Sequence, residues 1–357
     1  MNIYEYAILA IFSLIISTIL YFSFSTIQTN KKEYWTGYIT HAIHQEPWNE
    51  LVVYTVVVSD GKDTRTEIRT RIDHHPAYWG MYDNNGIYFS ISQDDYLYYK
   101  KLWVNETVIG TKYGYTINGN TNATYFNQND SFMIIVKHSH SYENKVNVSR
   151  SVFNNFEDIS QEDIKKYNLI DYPYIKDNYV SSILGHKYLN YSMDNRKLDI
   201  LNAKIGKDKQ IKVWLLTFKN QPFIAGRLQR SYWKNGNMNE MVICVGLDKD
   251  DKVTWSNVFS WTDSTSLLIN TREKINHQIG KSLNFQDIIP SLEKDIRTQW
   301  VRKDFHKDFK YLQIRPPNWA ISLAFVISLI VNGVMAVVFI KNNWDCDSAR
   351  SYRGYYG

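Results

Sequence analysis

Two uninterrupted apolar runs, Tyr6 to Phe24 and Trp319 to Ile340, bracket a chain whose interior alternates between short apolar segments and polar clusters. Each run is free of charged side chains and about twenty residues long, the length an α-helix rising ~1.5 Å per residue needs to cross ~30 Å of hydrocarbon. They predict transmembrane helices over 5–27 and 319–341, followed by a short polar tail at 342–357. The first run reads as an uncleaved anchor. Its start, Met1-Asn2-Ile3-Tyr4-Glu5, carries no Lys or Arg, and no small-residue cleavage pattern follows it. Trp319 and Trp344 flank the second run as interfacial aromatics do, and Pro316-Pro317 enforces an extended step before it. Gly333 and Ala336 could form a small-residue patch for helix–helix contact, which would allow oligomers through the spans, or could simply tolerate the lipid environment.

Between the spans the pattern changes once. Residues 33–157 read as strand-rich. Leu51 to Val58 is β-branched, a turn cluster at Ser59 to Asp63 follows, and Thr64 to Ile72 alternates strictly, with Thr66, Ile68, Thr70 and Ile72 on one face and Arg65, Glu67, Arg69 and Arg71 on the other. This predicts a hairpin with one solvated face. Ser92-Gln93-Asp94-Asp95 has the form of a helix start, and the Gly, Asn and Thr crowding of Gly110 to Asp130 predicts a long surface loop. Residues 158–313 alternate differently. Strands are expected at Ile211 to Phe218, Met241 to Leu247 and Val253 to Trp261, with helices at Phe223 to Lys234, Ser264 to Gly280 and Asn284 to Trp300. The expected fold class is α+β, two transmembrane helices flanking a mixed-sheet soluble region.

Charge fixes an expected orientation. Lys31, Lys32, Arg302, Lys303, Lys307, Lys310 and Arg315 lie on the central side of the spans, against Lys341, Arg350 and Arg353 diluted by Asp345 and Asp347 beyond the second. The bias places the central region in the cytoplasm. The two cysteines, Cys244 and Cys346, imply no disulfide framework. A net charge of +5 concentrated near the spans suits anionic lipid headgroups, and no basic stripe points to nucleic acid.

Short catalytic and cofactor motifs are missing: there is no phosphate-cradling Gly-rich loop, His-Glu-x-x-His helix, Gly-x-Ser-x-Gly elbow or Cys-x-x-Cys pair. No cofactor is assigned. Three weaker constellations remain. His138 and His140, two apart on a strand, project from one face and with His74 and His75 could ligate a metal, or simply pack and hydrogen-bond. Asp248 and Asp263 each follow a buried strand and could form a carboxylate pair for magnesium or acid–base work, or serve as turn and cap residues. Arg227, Arg230 and Lys234 on one helix, beside Tyr232 and Trp233, could grip an anionic ligand or lipid headgroup, or form a solvated basic face.

Four aromatic-rich segments carry a resemblance: Glu33-Tyr34-Trp35-x-Gly37-Tyr38, Glu46-Pro47-Trp48-Asn49-Glu50, His74-His75-Pro76-Ala77-Tyr78-Trp79, and Gln229 to Glu240. Together they resemble a group of uncharacterised two-span membrane proteins from bacterial and bacteriophage reading frames. The resemblance implies membrane residence and a shared fold, and brings no activity or catalytic residue. The functional expectation is a cytoplasm-facing binding or scaffold protein at the inner membrane, phage-encoded, with lipid headgroups or a membrane-associated protein as partner. The alternative is a membrane-bound hydrolase or metal-dependent enzyme using the carboxylate or histidine groups.

Overall fold

The computed structural model describes residues 3–59, 61, 63–103, 105–111, 120–126, 133–146, 156–175, 181–312, 314 and 318–341. The tail at 342–357, the Pro316-Pro317 step, Arg315 and Cys346 lie outside them. The molecule is mixed α+β. It divides into two compact units, one made of 1–33, 140–156 and 304–357, the other of 34–139 and 157–303.

In the first unit, α1 (Ile3–Thr29) and α9 (Asn318–Lys341) pack against each other. Both are apolar and long enough to span a bilayer. The chain order of their contacts is antiparallel. Ser13 Oγ accepts from Asn332 Nδ2 at 2.5 Å, Ser17 and Ser328 hydroxyls lie 3.4 Å apart, and the Phe24 and Trp319 rings meet edge to face at 5.4 Å. Small polar groups at such a seam let helices approach and bond where no water is available. A cleft of about 400 Å³ runs along it, lined among others by Ser13, Ser17, Tyr21, Ser328 and Asn332. The outer surfaces remain bare, with none of the most apolar window of α1 and 11 % of that of α9 buried. The core helix of a soluble domain has the opposite profile. The same unit holds α8 (Phe305–Asp308), whose Phe305 meets Tyr142 edge to face at 5.8 Å.

The second unit contains three sheets' worth of strands. β1 (Asn30–Gln45), β4 (Tyr78–Asp83), β5 (Tyr88–Ser90), β6 (Asn105–Thr111) and β7 (Asn120–Phe126) form a sheet in the order β5-β4-β1-β7-β6, with β8 (Ile135–Glu143) also paired to β1. The unit boundaries fall inside β1 and β8. α2 (Gln93–Leu102), opened by a Ser92–Asp95 capping box as the short α3 (Gln161–Lys166) is by Ser160–Asp163, joins Ile39, Ala42 and Met81 in a small core through Tyr96, with Trp103 just beyond the helix. The long loop expected at Gly110 to Asp130 is corrected here. β6 and β7 pair antiparallel from Asn105↔Phe126 to Thr111↔Asn120, and cross-strand pairing with β1 supplies the order that the polar composition hid.

β2 (Trp48–Ser59) and β3 (Thr64–His75) form a separate two-stranded sheet. One face carries Arg65–Glu67 and Arg71–Asp73 pairs at 2.8 and 3.0 Å, and the Arg71 guanidinium lies over the Tyr54 ring. The opposite face, expected to be the covered one, is not. Val57 is 65 % and Ile68 76 % exposed.

The largest core lies in the second half. β9 (Ile183–Gly185), β10 (Lys212–Lys219), β11 (Glu240–Leu247) and β12 (Val253–Ser260) form a sheet in the order β12-β11-β10-β9. β9, β10 and β11 are parallel and β12 is antiparallel to β11, the expected mixed sheet. Alternation sends Val213, Leu215, Met241, Ile243 and Val245 to one face, under α4 (Tyr191–Lys209), α6 (Thr265–Asn276) and α7 (Ile289–Gln299). Trp214, Leu216, Phe218, Val242 and Cys244 face the other way, against Ala225 of α5 (Ile224–Tyr232) and Trp233.

Candidate functional site

The connection β9–α4–β10 and the connection β10–α5–β11 step the same way across the sheet, yet α4 and α5 lie on opposite faces. They must therefore have opposite hands, and one of them is the left-handed crossover found in about one case in fifty. The consequence is local. At the carboxyl ends of neighbouring parallel strands β9 and β10, the chain leaves toward opposite faces. That divergence is the topological feature at which open α/β sheets form ligand crevices.

Three ionisable side chains meet there. His186 follows β9, Lys219 ends β10, and Asp251 comes from the turn between β11 and β12. Asp251 Oδ1 takes His186 Nε2 at 2.9 Å and also accepts from the Lys219 ammonium. Each of the three is about 30 % exposed (31 %, 29 % and 30 % for His186, Lys219 and Asp251), so solvent reaches the group. The Lys219 hydrogen bond holds the Asp251 carboxyl below the usual carboxylate range, opposed by desolvation and assisted by the His186 hydrogen bond. No described group bonds His186 Nδ1 or Asp251 Oδ2.

The backbone around the triad is tightly specified. Asp248 organises the turn by accepting from the Asp250 and Lys252 amides at 2.9 and 2.8 Å, and Asp251 sits in the left-handed region at φ 61°. Gly185 has φ 97°, and a Cβ there would lie 2.3 Å from the Thr217 carbonyl oxygen. Thr217 in turn anchors the next residue, accepting from the His186 amide at 3.1 Å and donating its hydroxyl to the His186 carbonyl at 2.7 Å. Gly185→Ala is therefore expected to cost about 1–3 kcal/mol and to shift the His186 ring resonances; unchanged thermal stability and unchanged resonances would count against this packing.

The amino ends of the same strands hold a different, buried network. Ser182, just before β9, donates to Asp199 Oδ1 and accepts from Lys212 Nζ at 2.5 Å and from Asn202 Nδ2 at 3.0 Å. Asn195 Nδ2 satisfies Asp199 Oδ2 at 2.9 Å. Burial lowers the Lys212 ammonium to about 8, partly countered by Asp199 and Glu240. The spacing would suit a serine–lysine nucleophile, but Ser182 is 0 % exposed, so its hydroxyl meets only the protein. Glu240, raised by burial, accepts from the Tyr172 hydroxyl and from the Asn237 amide at 2.7 Å.

The residues singled out from the sequence are distributed as follows. His74 and His75 are neighbours on β3, so alternation sends them to opposite faces. His74 Nδ1 bonds Asn49 Oδ1 at 2.5 Å, while His75 stacks on Trp48 at 4.0 Å and meets Glu50 at 3.0 Å. A hollow of about 390 Å³ lies between the Pro47–Asn49 and His74–Pro76 segments, so the two motifs face each other across the hairpin base. His138 pairs instead with buried Asp83 at 2.7 Å, and His140 with Glu33 at 3.3 Å. Among the described residues no group of three or more His, Cys, Asp or Glu side chains gathers as a metal site would require.

Asp248 and Asp263 are not brought together. β11 and β12 run antiparallel, so the ends they follow lie at opposite edges of the sheet, roughly 25 Å apart at ~3.3 Å per residue. Asp263 pairs with Lys303 at 2.7 Å. On α5, Arg227 pairs with Glu157 at 3.3 Å and Arg230 Nε donates to Asn235 Oδ1 at 3.0 Å, while Lys234 lies past the helix at φ 49°. Two buried residues of that segment, Gln229 and Trp233, bond the Ile170 backbone.

Comparison with known proteins finds no matching family model, no similar curated protein and no similar solved structure. The His186–Lys219–Asp251 group at the carboxyl edge is thus defined by its own geometry alone.

Proposed function

We propose that this chain is a membrane-anchored binding protein. α1 and α9 form a transmembrane hairpin, and the central region faces the cytoplasm and takes its ligand at the His186–Lys219–Asp251 edge. The observation that carries the reading is the pair of apolar helices, joined by polar contacts along one seam and bare elsewhere. Bare apolar helix surface of this length is stable in lipid and unstable in water. The cations flanking the spans on the central side support the orientation.

In spheroplasts, the full chain is expected to sediment with membranes through alkaline carbonate. A tag inserted within 112–119 should resist external protease until the membrane is permeabilised. Release by carbonate would overturn the anchor, and digestion in intact spheroplasts would overturn the orientation. A hydrolytic role has one supporting feature, the His186–Asp251 pair, in which a carboxylate orients an imidazole for proton transfer.

A further inference from the structure

We infer that the carboxyl edge of β9 and β10 is an anion site whose hydrogen-bond donors, His186 and Lys219, are occupied by the protein's own Asp251 when no ligand is present. The inference rests on the binding role proposed above and names the chemistry of its ligand: a phosphate or carboxylate group, free or carried on a lipid.

Four features favour a displaceable carboxylate over a fixed structural lock. The first is position, since His186 and Lys219 leave the ends of the two strands whose connections diverge. The second is access. All three side chains are part exposed, whereas the structural polar network at the other edge is buried.

The third is the mounting of Asp251. The turn that carries it is held by Asp248, not by the Asp251 side chain, so the carboxylate can leave its partners without unmaking the turn. The fourth is surplus capacity. Lys219 has further donors beyond the Asp251 bond, and His186 keeps Nδ1 open. An incoming phosphate oxygen would replace Asp251 Oδ1 with a group of the same chemistry and greater charge.

Asn is tolerated in the left-handed region, so Asp251→Asn removes the competing charge and leaves the turn intact. The full chain, reconstituted in phosphatidylcholine nanodiscs, would be titrated with inorganic phosphate while the His186 ring is followed by NMR, its signal assigned with His186→Gln. Asp251→Asn is expected to bind phosphate about tenfold more tightly than the natural chain, and Lys219→Met to abolish the response in either background. Equal or weaker binding by Asp251→Asn, or a response that survives Lys219→Met, overturns the inference. A parallel arm uses nanodiscs containing phosphatidic acid without free phosphate. Saturation of the His186 shift there identifies a lipid headgroup as the source, and its absence alongside phosphate binding identifies a soluble anion. Carbonate extraction is indifferent to all of these outcomes, so loss of the ligand assignment and loss of the membrane anchor are separately visible.

Discussion

Gly206→Ala is expected to destabilise the protein by about 3 kcal/mol, against the usual sign for that change in a helix. In the interior of an exposed helix, alanine gains about 1 kcal/mol over glycine. Gly206 lies in α4, however, where the helix meets β1, and a Cβ there would fall 1.9 Å from the Thr36 carbonyl oxygen. The opposing atom is strand backbone, so neither partner can turn a side chain away. Urea unfolding of the full chain in detergent, followed by tryptophan fluorescence, would measure the loss. Gly333→Ala in α9 serves as the control, because its Cβ would meet nothing within 4 Å. If Gly206→Ala were neutral or stabilising, the close approach of α4 and β1 would be disproved.

Raising the pH from 8 to 10 is expected to stabilise the natural protein relative to Lys212→Met. Burial lowers the Lys212 ammonium from 10.5 to about 8, so in this window the unfolded chain holds a proton that the folded chain has lost. Stability rises with pH wherever the unfolded state binds more protons. The contribution is present above the unfolded value and is lost as pH falls through about 8. Its full size is about 3 kcal/mol at ~1.4 kcal/mol per tenfold change in proton affinity. Met keeps the chain length and removes the titration, so the difference between the two unfolding free energies isolates Lys212. Above pH 10 Tyr188 acts in the opposite direction, since burial and Asp194 hold its hydroxyl protonated in the folded state. A pH-independent difference between 8 and 10 would show that Lys212 is solvated.

Hydrophobic pattern was a good guide where one kind of neighbour surrounded a segment. The α1 and α9 runs, the continuous apolar strands β10 and β11, and the alternating β3 all announce themselves this way. It failed at α4. That helix buries Asp194, Asn195, Asp199 and Asn202 beside Leu198, Leu201 and Ile205, so its covered face is half polar and shows no apolar stripe. The polar half is tolerated because Ser182, Tyr188 and the Phe285 and Gln286 amides satisfy it, and the two amides lie 91 and 92 residues from Asp194 in sequence. β6 and β7 failed for a related reason. Their Asn- and Thr-rich composition matches a loop until pairing with β1 is known.

The sequence by itself determined the elements whose stability is local or depends only on the surrounding medium: two helices apolar enough for lipid, one hairpin, and β10, β11 and β12 of the mixed sheet, but not the short β9. Tertiary structure decided which side chains meet. His186 and Asp251 are 65 residues apart and Lys219 and Asp251 are 32 apart, joined by no spacing rule. Their meeting depends on parallel pairing of β9 with β10 and on two crossovers of opposite hand. Asp248 and Asp263, by contrast, were separated by antiparallel pairing, a direction that depends on the length of a turn and on the whole sheet's packing. Strand identity is written in the periodicity of a few residues, whereas strand direction and helix side are settled by the burial of an entire layer.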